Sequence, residues 1–183
     1  MTILHIDSSI NGENSASRAI SARILDQLTA ANPGADVVRR DLVGKPLPHL
    51  TLDAFADTEV LDEFLAADTV VIGAPMYNFT LPTQLKAWID RLAIAGTTFR
   101  YTESGPEGLV KGKRVIVALA RGGFYGEGSP AAALEHLESY LRGVFNFIGI
   151  EPEFVAADGL NLGAEQRQQS ISQALGQTLR LAA

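Results

Sequence analysis

The chain has 183 residues, none of them cysteine, and 15 basic against 21 acidic side chains give a formal charge of -6. At this length a chain buries roughly 70% of its unfolded surface, so no disulfide or metal is needed to hold a core. Thiol catalysis and Cys-ligated zinc or iron–sulfur sites are excluded, and the mildly acidic balance argues against nucleic acid or an anionic membrane as the main partner.

No apolar run reaches the roughly 18 residues of a membrane-spanning helix. Thr2–Asp7 reads as a strand and lacks the basic and cleavable regions of a signal peptide, so a cytoplasmic protein is expected. Ser17–Asn32 follows as a helix that opens on serine and stops at Asn32-Pro33-Gly34. Asp36–Asp41 is the second strand. Thr51–Ala67, with an imperfect apolar stripe of Leu52, Phe55, Val60, Leu61, Phe64 and Leu65, reads as the second helix. Thr69–Ala74 is apolar on both faces, as a doubly covered parallel strand must be. Leu81–Ala95 is helical, with Pro82 in its first turn, where a missing N–H costs nothing. Arg114–Ala120 repeats the two-faced apolar pattern. Ser129–Gly149 carries Leu134, Leu137, Leu141, Val144 and Phe145 at helical spacing; Glu153–Ala157 is the fifth strand and Ala164–Leu181 the last helix. No repeat or linker interrupts the series, so 1–183 reads as a single domain. Five strands alternating with five helices predict an α/β fold with a parallel sheet in the order 2-1-3-4-5 and right-handed crossovers. Ligands in such sheets sit beyond the carboxyl ends of the strands, near the switch point between strands 1 and 3.

Three loops leave those ends. After Asp7, Ser8-Ser9-Ile10-Asn11-Gly12-Glu13-Asn14-Ser15-Ala16-Ser17-Arg18 is rich in hydroxyls and small residues and feeds a helix. Free N–H groups and the helix dipole make that junction an anion site. Ser9, Ser15 and Ser17 add hydroxyl donors, although Ser15 or Ser17 can equally serve as a helix cap alone. Neither a Gly-x-Gly-x-x-Gly pattern nor a Gly-Lys-Ser/Thr ending is present, which suits a phosphate monoester held without a metal. After Ala74, Pro75-Met76-Tyr77-Asn78-Phe79 places two aromatics and a Met where connections are ordinarily polar. They either pack a flat heterocycle, with Asn78 matching the edge of a flavin pyrimidine ring, or fold back as a satellite core cluster. After Ala120, Arg121-Gly122-Gly123 lets backbone approach a ligand closely. Arg121 can offset charge on a reduced ring; the competing reading is a glycine turn with a surface arginine.

The blocks Ala74-Pro75-Met76-Tyr77-Asn78-Phe79, Gln84-Leu85-Lys86, Gly96-Thr97-Thr98-Phe99-Arg100-Tyr101-Thr102-Glu103 and Gly105-Pro106-Glu107-Gly108-Leu109-Val110, with Arg121-Gly122-Gly123 and Phe147-Ile148-Gly149-Ile150, carry a resemblance across nearly the whole chain. It is to the bacterial FMN-dependent NADH-azoreductases, also called FMN-dependent NADH:quinone oxidoreductases. The resemblance implies a flavodoxin-like three-layer sandwich, non-covalent FMN, NADH or NADPH as donor, and a homodimer with the active site near the interface. It implies that Ser9, Ser15, Ala16 and Ser17 hold the FMN phosphate and ribityl chain. Met76, Tyr77, Asn78 and Phe79 would contact the isoalloxazine ring, and Ala120, Arg121, Gly122 and Gly123 would line its pyrimidine side. Tyr101 and Phe147 would shape the pocket for quinones and aromatic azo compounds. The chain departs from the family at Ala120, where serine is common, and in a short stretch between the second and third strands.

The expected reaction is ping-pong: a nicotinamide delivers hydride to N5 of FMN and leaves, and a quinone or azo compound then accepts two electrons in the same place. No protein nucleophile is needed. His5, His49 and His136 do not cluster with carboxylates in sequence, so no metal site is expected. An FMN-containing electron carrier is the alternative, and it would present a strongly acidic docking face. A phosphoesterase would need an activated nucleophile or a metal cluster, which the sequence does not offer.

Overall fold

The five apolar runs form one parallel sheet in the computed structural model, which describes residues 1–179. β1 (Thr2–Asp7) and β2 (Asp36–Asp41) have the predicted bounds, and β3 (Thr69–Pro75) is one residue longer. A two-stranded antiparallel hairpin, β4 (Phe99–Thr102) and β5 (Gly105–Gly108), is an addition that the sequence reading does not contain. β6 (Arg114–Ala120) and β7 (Glu153–Ala157) complete the sheet, in the order β2-β1-β3-β6-β7. With the hairpin set aside, this is the predicted 2-1-3-4-5. β3 is buried throughout and β6 nearly so, as double coverage requires.

Alternate residues of each strand face opposite layers. α1 (Ala16–Ala31) and α5 (Ala164–Thr178) cover one face, where Ile20, Ile24 and Leu28 pack on Ile3, Val71 and Ile116. α2 (Glu59–Ala66), α3 (Thr83–Ile89) and α4 (Glu138–Ile148) cover the other, where Phe64, Leu85, Trp88 and Phe145 pack on Leu4, Ile72 and Val117. The result is a flavodoxin-like three-layer sandwich. Among the described residues no helix is long and apolar enough to cross a membrane.

Three helices are shorter than predicted, each for its own reason. Asp57 Oδ1 accepts from Glu59 N at 3.1 Å, which starts α2 late. The front of Thr51–Ala67 is only a 3₁₀ turn, and Leu52 is 88% exposed. Pro82 stands at the cap of α3 (φ -60°, ψ 147°), not in its first turn, and beyond Ile89 the chain tightens through Arg91 N to Trp88 O (3.1 Å) and Leu92 N to Ile89 O (3.0 Å). His136 blocks the early start expected for α4. Its N–H donates to Phe79 O (3.0 Å) and its carbonyl accepts from Thr80 Oγ1 (2.9 Å), which holds the chain extended. Only then does the Glu135 carboxylate cap the helix, taking the N–H groups of Leu137, Glu138 and Ser139 at 2.8–3.0 Å. The predicted end of the last helix, Leu181, lies outside the described residues.

Candidate functional site

The carboxyl ends of β1, β3 and β6 open onto one cavity of about 140 Å³. Ser9, Ser15 and Ala16 line it from the first loop, Met76 and Tyr77 from the second, and Ala120 and Gly122 from the third.

The first loop is shaped by its own hydrogen bonds. Ser8 Oγ donates to Gly73 O (2.7 Å), tying the loop to β3. A 3₁₀ turn at Gly12–Asn14 then delivers Ser15 to the cap of α1, where Ser15 Oγ accepts from Arg18 N (3.3 Å) and lies 3.1 Å from Ser17 Oγ. Ser15 is therefore both the cap and a wall of the cavity. Ser17 is buried behind it and does not line the cavity. The N–H groups of Ala16 and Ser17 precede the first intrahelical donor, Ala19 N, which bonds Ser15 O, and so are free for a ligand. Arg18 points elsewhere. Its guanidinium bonds both Asp41 oxygens (2.8 and 3.2 Å), approaches Asp7 (3.5 Å) and donates to Ser9 O (3.0 and 3.2 Å). The Asp41 hydrogen bond, working against burial, holds Arg18 above the ordinary arginine value, and the same bond holds Asp41 below the ordinary carboxylate value. Arg18 thus fixes the Ser9 backbone.

Tyr77 joins the first two loops. Its hydroxyl lies 3.1 Å from Ser9 Oγ and accepts from Ile10 N (3.2 Å). Tyr77 and Thr80 exchange backbone hydrogen bonds (2.9 and 3.2 Å) around a turn in which Asn78 (φ 47°) and Phe79 (φ 74°) are both left-handed. Asparagine tolerates that region; phenylalanine rarely enters it. Met76 packs against the core, whereas Phe79 is 42% exposed and meets Tyr125 edge-on, centroids 6.1 Å apart. The satellite-cluster reading therefore fails for Phe79. Asn78 and Phe79 follow the cavity without lining it.

The third loop pairs with the end of β7 and the chain beyond it: Arg121 N donates to Ala157 O (2.9 Å), Leu160 N to Arg121 O (3.1 Å) and Asn161 N to Gly122 O (3.0 Å). A Cβ at Gly122 would stand 2.5 Å from Asn161 Nδ2, so glycine is what lets Asn161 close that wall. Gly123 O accepts from Gly159 N (3.0 Å), outside the cavity. Arg121 is not the surface arginine of the competing reading. It is 3% exposed, and its guanidinium is held by Asp158 (2.6 and 3.1 Å), Glu138 (3.4 Å) and Glu135 (3.7 Å). Burial opposes its charge, but these carboxylates outweigh burial and keep it above the ordinary arginine value. Its charge is balanced internally.

Tyr101, 74% exposed on the hairpin, stands edge-on to Phe99 (5.4 Å, 87°), and Phe99 meets Phe147 at 4.6 Å. These three form one aromatic cluster, and neither Tyr101 nor Phe147 lines the cavity. Sequence reasoning missed Asn11, Asn14, Leu160, Asn161 and Arg167, which do. The last three follow the fifth strand, whose carboxyl end shares the same edge of the sheet.

His5 lies beneath this edge. Arg39 Nη1 donates to His5 Nδ1 (3.2 Å), so Nε2 carries the proton and bonds Ser21 Oγ (3.0 Å), which donates to Asp7 Oδ1 (3.1 Å). Among the described residues no group of three or more His, Cys, Asp or Glu side chains is placed to hold a metal ion.

A five-stranded parallel sheet with its cavity at the switch point defines a flavodoxin-like protein. The family described as having a flavodoxin-like fold matches residues 1–181, and the chain belongs to it. One curated relative, an FMN-dependent NADH:quinone oxidoreductase from Sinorhizobium fredii, is 55% identical over 206 residues with 100% of both chains covered. Another of that name, from Bradyrhizobium diazoefficiens, is 53% identical over 193 residues with 96% of each covered. An azoreductase structure from Bacillus anthracis superposes with a TM-score of 0.90 at 30% identity, covering 100% of this chain and 98% of that one. A Bacillus anthracis FMN-dependent NADH-azoreductase in complex with FMN gives 0.86 at 26% identity, covering 100% and 99%.

Proposed function

We propose that the protein is a cytoplasmic, single-domain FMN-dependent NADH:quinone oxidoreductase, able to use NADPH as well, that also reductively cleaves the azo bonds of aromatic azo compounds. The observation that carries this reading is the cavity in which Ser9 and Ser15 meet Met76, Tyr77 and Gly122 at the ends of β1, β3 and β6. Curated relatives at about this level of identity bear the same name.

The residues fit FMN. Hydroxyls of Ser9 and Ser15 and the free N–H groups of Ala16 and Ser17 suit a phosphate monoester, while Met76, Tyr77 and the side-chain-free Gly122 suit a flat ring. A cavity of about 140 Å³ is smaller than the roughly 300 Å³ or more that encloses a whole ligand of this size. Part of the cofactor would stay uncovered, which a reductase needs for a second flat molecule to land. Bound FMN supplies two-electron transfer from NADH to that acceptor in ping-pong order, through N5. The chain's part is positional. Arg18 holds the Ser9 carbonyl and Tyr77 its hydroxyl, and Met76 N donates to Ala120 O (2.8 Å), closing the wall between β3 and β6.

Tyr101 and Phe147, expected in the acceptor pocket, stand away from the cavity of their own chain. A homodimer that brings a second copy's hairpin over the cavity mouth reconciles the two, and the exposed rings of Phe79, Tyr101 and Phe124 favour such cover. Sedimentation of the purified protein tests it, with a dimer expected.

The visible spectrum of the purified protein, followed by stopped-flow mixing with NADH and then a simple quinone or azo dye, tests the whole reading. The expected result is flavin absorbance that bleaches with NADH and returns with acceptor. Failure to take up FMN would overturn the proposal. Uptake without bleaching would leave an electron carrier.

A further inference from the structure

Three arginines surround the strand ends, and two are neutralised where they stand. Arg18 is paired with Asp41 and Asp7, and Arg121 with Asp158, Glu138 and Glu135. Arg167, in the first turn of α5, is different. It is the one charged residue lining the cavity, and no ion pair among the described residues includes it. Its Nη2 donates to the carbonyl of Asn14 (2.7 Å), the residue just before the Ser15 cap of α1. The guanidinium is thereby held, half-buried, against the same helix start that presents Ser15 Oγ and the N–H groups of Ala16 and Ser17.

We propose that Arg167 is the counter-ion of the cofactor's phosphate and makes the site select FMN over riboflavin, an inference that rests on reading the cavity as an FMN site. A phosphate monoester carries about -1.5 to -2 at pH 7. The chain itself carries -6, and hydroxyls and amides supply dipoles but no charge. Of an arginine's five N–H groups, one is committed to Asn14 and the rest are available for charge-assisted bonds to phosphate oxygens. The Asn14 bond also orders the side chain in advance, which lowers the entropy lost on binding.

The test is fluorescence titration of the apoprotein with FMN and, separately, with riboflavin, at low and high salt. Arg167→Gln is expected to weaken FMN binding about tenfold or more, as loss of a charge-assisted bond does, and to flatten its salt dependence. Riboflavin binding should change less than about twofold on the same reasoning, since riboflavin brings no charge. Arg167→Lys should recover part of the loss. Unchanged FMN affinity overturns the proposal. So does a parallel fall in riboflavin affinity, which would make Arg167 a strut for Asn14. A wild-type protein that takes up neither flavin overturns the FMN reading itself, and is distinguishable from both.

Discussion

Tyr77 shows how much one oxygen can organise. It touches Ser9 Oγ and the N–H of Ile10 and so locks the ends of β1 and β3 together. Tyr77→Phe removes both contacts and should cost about 1 kcal/mol, read as a lower urea midpoint at unchanged slope. Asn78 sits at φ 47°, where alanine is penalised by about 1–2 kcal/mol. Asn78→Ala should therefore loosen the turn and weaken FMN retention on dialysis; undiminished retention would show that the turn does not hold the ring. At this scale the sequence was legible where neighbours in the chain decide the outcome, as with Ser15, the cap of the helix that follows it. It was silent where a distant partner decides. Arg121 reads as exposed until Asp158, 37 positions later, takes its guanidinium.

Elements tell a parallel story. The two central strands, β3 and β6, were readable because their apolar runs need cover on both faces, which the two helix layers supply. The fourth helix failed at its start, where tertiary hydrogen bonds overrule an apolar stripe. Nothing local to Ala131-Ala132-Ala133-Leu134 forbids helix; the bonds of His136 to Phe79 and Thr80 do. The hairpin was missed because its two-residue turn, Glu103-Ser104, has none of the usual turn dipeptides, and the left-handed glycine, Gly105 (φ 115°), comes one place after it. Its docking depends on Gly108. A Cβ there would fall on the backbone of Ile148 and Gly149, where α4 ends, and backbone cannot swing aside. Gly108→Ala should cost about 3 kcal/mol, seen as a lowered melting temperature. A fall under about 1 kcal/mol would mean that the hairpin can lift off α4 at little cost.

The whole molecule should weaken in acid in two stages. Burial, aided by Arg39 and Arg18 and opposed by Asp7, pushes His5 below its ordinary value of 6.5. The folded state then binds fewer protons than the unfolded chain, so this contribution is complete above pH 6.5 and is lost as pH falls toward the folded pKa. Glu135 is raised by burial but lowered further by the N–H groups of Ser139, Glu138 and Leu137, and the net shift is below its ordinary 4.5. Its contribution is present above pH 4.5 and lost below it. Urea midpoints measured from pH 8 to pH 4 should decline first below 6.5, and His5→Gln should flatten that first stage; an unchanged slope would assign it to other groups. The hydrogen bond from Arg167 to Asn14 bridges 153 residues, and this sets a timetable for the newborn chain. At about 5–20 residues per second, a ribosome needs on the order of ten seconds between making the serine loop and making its cationic lid. On the proposed role of Arg167, a nascent or prematurely stopped chain would display the serines without their cation. Full affinity at the phosphate end would then belong to the finished polypeptide, after the final helix has docked.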